Sequence, residues 1–164
     1  MRSLLLAGVL LGSGITPALL VAQQESLTLP AARPKQYVAY DSEGQAIEAG
    51  KTSTLELRFQ VVQGYHVNSH TPKSELLIPT NLTIEPASGV KAAAAEYPAG
   101  TTYSLRFDPS EKLDVYTGAF VVKVPVVAAL GDHTLKGVLH YQACDNAACY
   151  PPKSLPVQIA VTAK

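Results

Sequence analysis

Cys144 and Cys149 are the only cysteines in the chain, and their type and spacing could carry redox chemistry. They sit in Tyr141-Gln-Ala-Cys144-Asp-Asn-Ala-Ala-Cys149-Tyr-Pro-Pro152, flanked by tyrosines and closed by a double proline. A disulfide stabilises chiefly by removing loop entropy from the unfolded chain, and closing so short a ring is worth about 2 kcal/mol. A bond meant to brace a β-sandwich would join distant strands. Close spacing instead lets one thiol attack a partner while the other waits to resolve the mixed disulfide. Two other readings stay open. One is a local clip on a hairpin turn; the other is half of a metal site, although a zinc centre ordinarily takes four Cys or His ligands.

The immediate surroundings bear on reactivity. Asp145 adjoins Cys144, and no lysine or arginine lies between the cysteines. A neighbouring carboxylate disfavours the thiolate, so ordinary or raised thiol pKa values are expected. Pro151 and Pro152 lack backbone donors, which leaves Cys149 at an irregular edge that a partner could approach.

A second polar cluster lies upstream in Gly64-Tyr-His-Val-Asn-Ser-His70. Strand alternation puts Tyr65 and Val67 on one face and His66, Asn68 and His70 on the other. That face is either a solvated strand surface, a polar wall beside the cysteines, or a pair of metal ligands. The stretch from Pro98 to Leu113 has weak periodicity and reads as the longest loop, carrying Tyr103 and Phe107. Loops of that length inside compact domains are often functional.

The rest of the chain must position these groups. Its 164 residues suit one domain, and thirteen basic residues balance thirteen acidic ones, so no charged stripe points to nucleic acid. Met1-Arg2-Ser3 followed by an apolar run reads as a secretory signal over residues 1–22, cleaved after Ala22. Gly12, Gly14 and Pro17 interrupt that run, which argues against a membrane anchor. Export would place the cysteines where disulfides persist. Residues 23–34 read as a disordered lead-in.

From residue 35 to 164 the pattern is all-β. Gln36–Tyr40 is a first strand, and Thr54–Val61 alternates with Leu55, Leu57, Phe59 and Val61 facing inward. Leu76–Ile78, Leu82–Ile84 and Val90–Tyr97 are shorter strands. Val115–Val127 is a long one, with Gly118 as a bulge and Pro125 marking an edge or a break. Thr134–Gln142 and a terminal strand through Leu155, Val157, Ile159 and Val161 complete the set. Some seven to nine short strands without a helix give an immunoglobulin-like β-sandwich of two facing sheets. The sequon at Asn81-Leu-Thr83 is taken as fortuitous.

The cysteine run, with Gly64–Pro72 and Val115-Tyr-Thr-Gly118, resembles the N-terminal periplasmic domain of the DsbD thiol:disulfide interchange family. The resemblance covers essentially the whole mature chain. It implies an immunoglobulin-like sandwich that relays reducing equivalents in the periplasm. In that family a membrane domain brings electrons from cytoplasmic thioredoxin, and a thioredoxin-fold domain passes them to the sandwich. The sandwich then reduces disulfide isomerases and cytochrome c maturation proteins.

Carried onto this sequence, the resemblance makes Cys149 the residue that forms mixed disulfides and Cys144 the one that resolves them. Tyr103 to Val115 corresponds to the family's cap loop, with Phe107 as the cap. His66, Asn68, Tyr141 and Tyr150 flank the pair. No cofactor or metal is implied. The implied partners are thioredoxin-fold periplasmic proteins and a membrane thiol transporter, and the protein is expected to be a monomer. The loop between the cysteines has four residues where some members have five. No membrane conduit or thioredoxin-like domain lies within residues 1–164, so the relay is expected to run between separate proteins. The alternative is a non-redox sandwich that binds a protein, or copper or zinc through His66 and His70, with the cysteines as a local clip.

Overall fold

Alternating apolar residues build two long antiparallel strand pairs that face each other across one core. The computed structural model describes residues 36–41, 43–105 and 110–164, all within the unit Pro34–Lys164. The signal and lead-in expected before residue 35, and Phe107, lie outside the described residues. Twelve strands run in chain order: β1 Val38–Asp41, β2 Gln45–Ile47, β3 Thr52–Val61, β4 His66–Asn68, β5 Asn81–Ile84 and β6 Val90–Ala92, then β7 Thr101–Ser104, β8 Lys112–Tyr116, β9 Ala119–Ala128, β10 Gly131–Tyr141, β11 Ala143–Cys144 and β12 Lys153–Ala163. No helix occurs among the described residues. The fold is an immunoglobulin-like all-β sandwich.

One sheet has the order β1-β3-β9-β6 and the other β2-β12-β10-β5. Leu55, Leu57, Phe59 and Val61 of β3 are buried as their alternation requires, and they share a core with Val122, Val124 and Val126 of β9. From the opposite sheet come Leu135, Leu139 and Tyr141 of β10 with Val157, Ile159 and Val161 of β12. Side chains at every second position thus fill the space between the layers. Gly137 of β10 lies so close to β5 that a Cβ there would stand 2.6 Å from the Thr83 carbonyl oxygen.

A third sheet, β11-β4-β8-β7, carries the cysteines. It corrects two sequence expectations. The stretch from Pro98 to Leu113 is not one loop: Thr101–Ser104 pairs antiparallel with Lys112–Val115, making the β7–β8 hairpin. Val115–Val127 is not one strand either, because Gly118 turns the chain between β8 and β9 at φ +63°. That left-handed conformation suits glycine and makes Gly118 a turn residue rather than a bulge.

Pro125 is in the middle of β9, between β3 and β6, and neither breaks the strand nor marks an edge. Its carbonyl accepts from Ala93 N at 2.8 Å, so its nitrogen points the same way. On that side β6 has ended at Ala92 and the next contact is the Glu96–Lys123 bridge. The missing donor therefore faces a gap in the ladder. Leu76–Ile78 is not a strand but a turn-rich segment, with Leu76 92% exposed.

Candidate functional site

The cysteines close a tight hairpin at the end of β10. Cys144 and Cys149 form a disulfide with Cα atoms 3.9 Å apart, opposed in an antiparallel bridge. Tyr150 N donates to Ala143 O at 2.8 Å and Asp145 N to Ala148 O at 2.9 Å, so backbone bonds bracket the pair. Asp145 organises the turn. Its Oδ1 accepts from Ala147 N at 2.7 Å and Ala148 N at 2.9 Å, while Oδ2 accepts from the Tyr150 hydroxyl. An aspartate that caps the backbone two and three residues on is an Asx turn, a signal already present in the residue type.

Exposure separates the two cysteines. Cys144, opposite β4, is 1% exposed, whereas Cys149 lies on the exposed side of the hairpin. A thiolate attacking this bond from outside therefore meets Cys149 first.

β4 forms the inner wall. Its register sets His66 opposite Cys144 and Val67 opposite Ala143. His66 and Asn68 are both buried, so the solvated-face reading of this stretch is overturned. The reason is the third sheet: β11 and β8 flank β4 on both sides, and β7 continues past β8. Asn68 Nδ2 donates to Ile78 O at 2.9 Å and to Gln142 Oε1 at 3.2 Å, tying β4 to the residue just before β11.

The His66 ring packs against Tyr103 with centroids 4.3 Å apart. Burial holds its pKa below the ordinary histidine value, an effect that the nearby Asp145 carboxylate partly opposes. His66 Nε2 is buried with no hydrogen-bond partner among the described residues. Leaving such an atom unsatisfied costs about 1–3 kcal/mol, so it needs an explanation.

Tyr103 reaches over the cysteine loop from β7, and its hydroxyl donates to Asn146 Oδ1. His66, Tyr103 and Asn146, with Tyr65, Gln60 and Gly118, line a groove of about 540 Å³ beside the hairpin. Tyr150 stacks on Tyr37 with centroids 5.1 Å apart, and Tyr65 tilts against both. Tyr141 is fully buried at the end of β10, where its hydroxyl accepts from Tyr37 N and donates to Gln36 Oε1. It supports the hairpin from the core side.

The structure thus brings His66, Asn68, Tyr103, Tyr141 and Tyr150 around the disulfide. Asn146, Tyr37 and Gln142 were not singled out from the sequence, because long-range contacts place them there. His70 stands apart: its ring stacks on Tyr97 at 3.7 Å and its Nδ1–H donates to Thr80 O at 3.0 Å. Among the described residues no group of three or more His, Cys, Asp or Glu is placed to hold a metal ion. None of the described residues forms a helix long and apolar enough to cross a membrane.

Residues 32–159 match the family model described as thiol:disulfide interchange protein DsbD, N-terminal. No curated protein sequence matches the chain. Among solved structures, the reduced N-terminal domain of DsbD from Neisseria meningitidis is 23% identical, with 68% of this chain and 80% of that chain covered and a TM-score of 0.45. The complex of the DsbD and PilB N-terminal domains from the same organism aligns at 19% identity, 78% and 86% coverage and a TM-score of 0.49. The N-terminal periplasmic domain of ScsB from Proteus mirabilis gives 16% identity, 73% and 44% coverage and a TM-score of 0.44.

Proposed function

Because this chain belongs to the DsbD N-terminal family, whose business is thiol–disulfide exchange, we propose that it relays reducing equivalents to partner proteins through Cys144 and Cys149. The observation that carries this reading is the unequal exposure of the two bonded cysteines. A pair serving only as a clip has no need of one exposed and one sheltered cysteine.

In the reduced protein the Cys149 thiolate attacks the disulfide of a partner. A Cys149–partner bond forms and one partner sulfur leaves as a thiolate. Cys144 then attacks Cys149 Sγ, which closes the intramolecular disulfide and releases the second partner sulfur. Two electrons pass to the partner, and the chain ends oxidised. Reloading runs the sequence in reverse, with a donor dithiol attacking Cys149.

Tyr103, whose hydroxyl donates to Asn146 between the cysteines, would serve as a cap over the pair. Phe107, expected in that part, belongs to residues outside the description. The partners that suit this chemistry are periplasmic thioredoxin-fold proteins as acceptors and a membrane thiol transporter as donor. The protein would work in the periplasm as a protein-disulfide reductase component and as a monomer.

Trapping tests the proposal. Cys144→Ala should accumulate mixed disulfides through Cys149 with periplasmic thioredoxin-fold proteins, and Cys149→Ala should accumulate none. Equal trapping by both variants, or by neither, would refute it.

A further inference from the structure

Cys144 has a chemical problem that the exchange sequence leaves open. It must lose a proton before it attacks Cys149, yet it is buried, and its neighbour Asp145 disfavours the thiolate. A base has to stand beside it.

His66 is directly opposite Cys144 in the β4–β11 register, and cross-strand partners project to the same side of a sheet. Its ring packs against Tyr103 and is close enough to the hairpin for the Asp145 charge to act on it. Its Nε2 has no hydrogen-bond partner among the described residues while the cysteines are joined. A disulfide sulfur carries no hydrogen, so the Cys144 side chain cannot donate to that nitrogen in the oxidised protein. Reduction changes this by creating a thiol hydrogen across the strand pair. The orphaned atom of the oxidised state is thus explained as an acceptor built for the reduced one.

We infer that His66 is the proton acceptor for Cys144 in the resolving step. Resting on the exchange reading above, the step is as follows. With the partner bound to Cys149, the Cys144 S–H proton passes to His66 Nε2, and the resulting thiolate forms the Cys144–Cys149 bond. The Cys149–partner bond breaks, its electron pair leaves on the partner sulfur, and the proton goes from His66 to that sulfur or through the groove to water. The other titratable groups at the ring are Asp145 from the hairpin, which favours the imidazolium formed in transfer, and Tyr103 from β7. A buried, neutral imidazole is free to accept at neutral pH.

The test needs no physiological partner, so its failure is separable from failure of the relay. Reduced protein is mixed with the aromatic disulfide 5,5′-dithiobis(2-nitrobenzoate), and release of the coloured thiolate is followed over a range of pH. Attack by Cys149 gives a first phase and resolution by Cys144 a second. In His66→Phe the second phase should slow by about tenfold to a hundredfold near neutral pH, within the range for general-base catalysis. It should converge on wild type at alkaline pH, where Cys144 ionises unaided. The first phase should not change, and His66→Gln should be as slow as His66→Phe while melting like wild type. A second phase with the same pH profile in the variants overturns the inference, as does equal slowing of both phases. A wild-type protein with no second phase would remove Cys144 as the resolving thiol and the role of His66 with it.

Discussion

The Tyr103 hydroxyl donates to Asn146 Oδ1, joining β7 to the loop between the cysteines across 43 residues of sequence. The His66 ring packs against the face of Tyr103 as well. Tyr103→Ala removes both contacts and should raise the rate at which small oxidants and alkylating reagents reach the reduced cysteines by about threefold to tenfold, a barrier change of roughly 1 kcal/mol. Tyr103→Phe keeps the ring and should fall between. Timed alkylation checks this, and equal rates in all three proteins would deny Tyr103 a covering role.

Asp145 satisfies two backbone donors and a tyrosine hydroxyl within the hairpin. Asp145→Ala leaves all three without that acceptor and should cost about 1–3 kcal/mol in the reduced protein, where the disulfide no longer holds the turn. Asp145→Asn keeps an oxygen for the backbone donors and should cost less. Denaturant unfolding of the reduced forms gives the comparison.

Burial lowers the pKa of His66, so the unfolded chain binds a proton at this residue more readily than the folded one. The associated stability is present above the ordinary histidine pKa of about 6.5 and is lost as pH falls from there through the folded value. The stability of wild type relative to His66→Phe should therefore decline as pH is lowered below about 6.5. Paired denaturant titrations at several pH values would show it; a constant difference would contradict it.

Gly137 offers a control far from the chemistry. A Cβ at this position would press on the Thr83 carbonyl at 2.6 Å, so β5 must shift to admit it. Gly137→Ala should destabilise the fold by about 1–3 kcal/mol, as overpacked sites do, and leave the exchange phases of the cysteines unchanged. Thermal melting and stopped-flow exchange together test that separation.

What could be read from the sequence was what local periodicity controls. Leu55 to Val61 in β3 and Val157 to Val161 in β12 alternate because each strand has one buried face, and the structure keeps both patterns. The adjacent cysteines announced their own pairing. β4 could not be read that way, since burial on both faces erases alternation, and its partners come from β8 and β11. β2 and β7 are only three and four residues long, too short to carry a period, and their pairing is set by distant strands. Pro125 suggested an edge because a missing donor is usually harmful inside a sheet. Here the neighbouring strand stops in time to need none.

Tyr141 holds the backbone of Tyr37 and the side chain of Gln36, and Tyr37 in turn stacks on Tyr150, the residue next to Cys149. Gln36 and Tyr37 thus share one support with the cysteine hairpin, and a disturbance at either would be felt beside Cys149 before it was felt in the middle of the core.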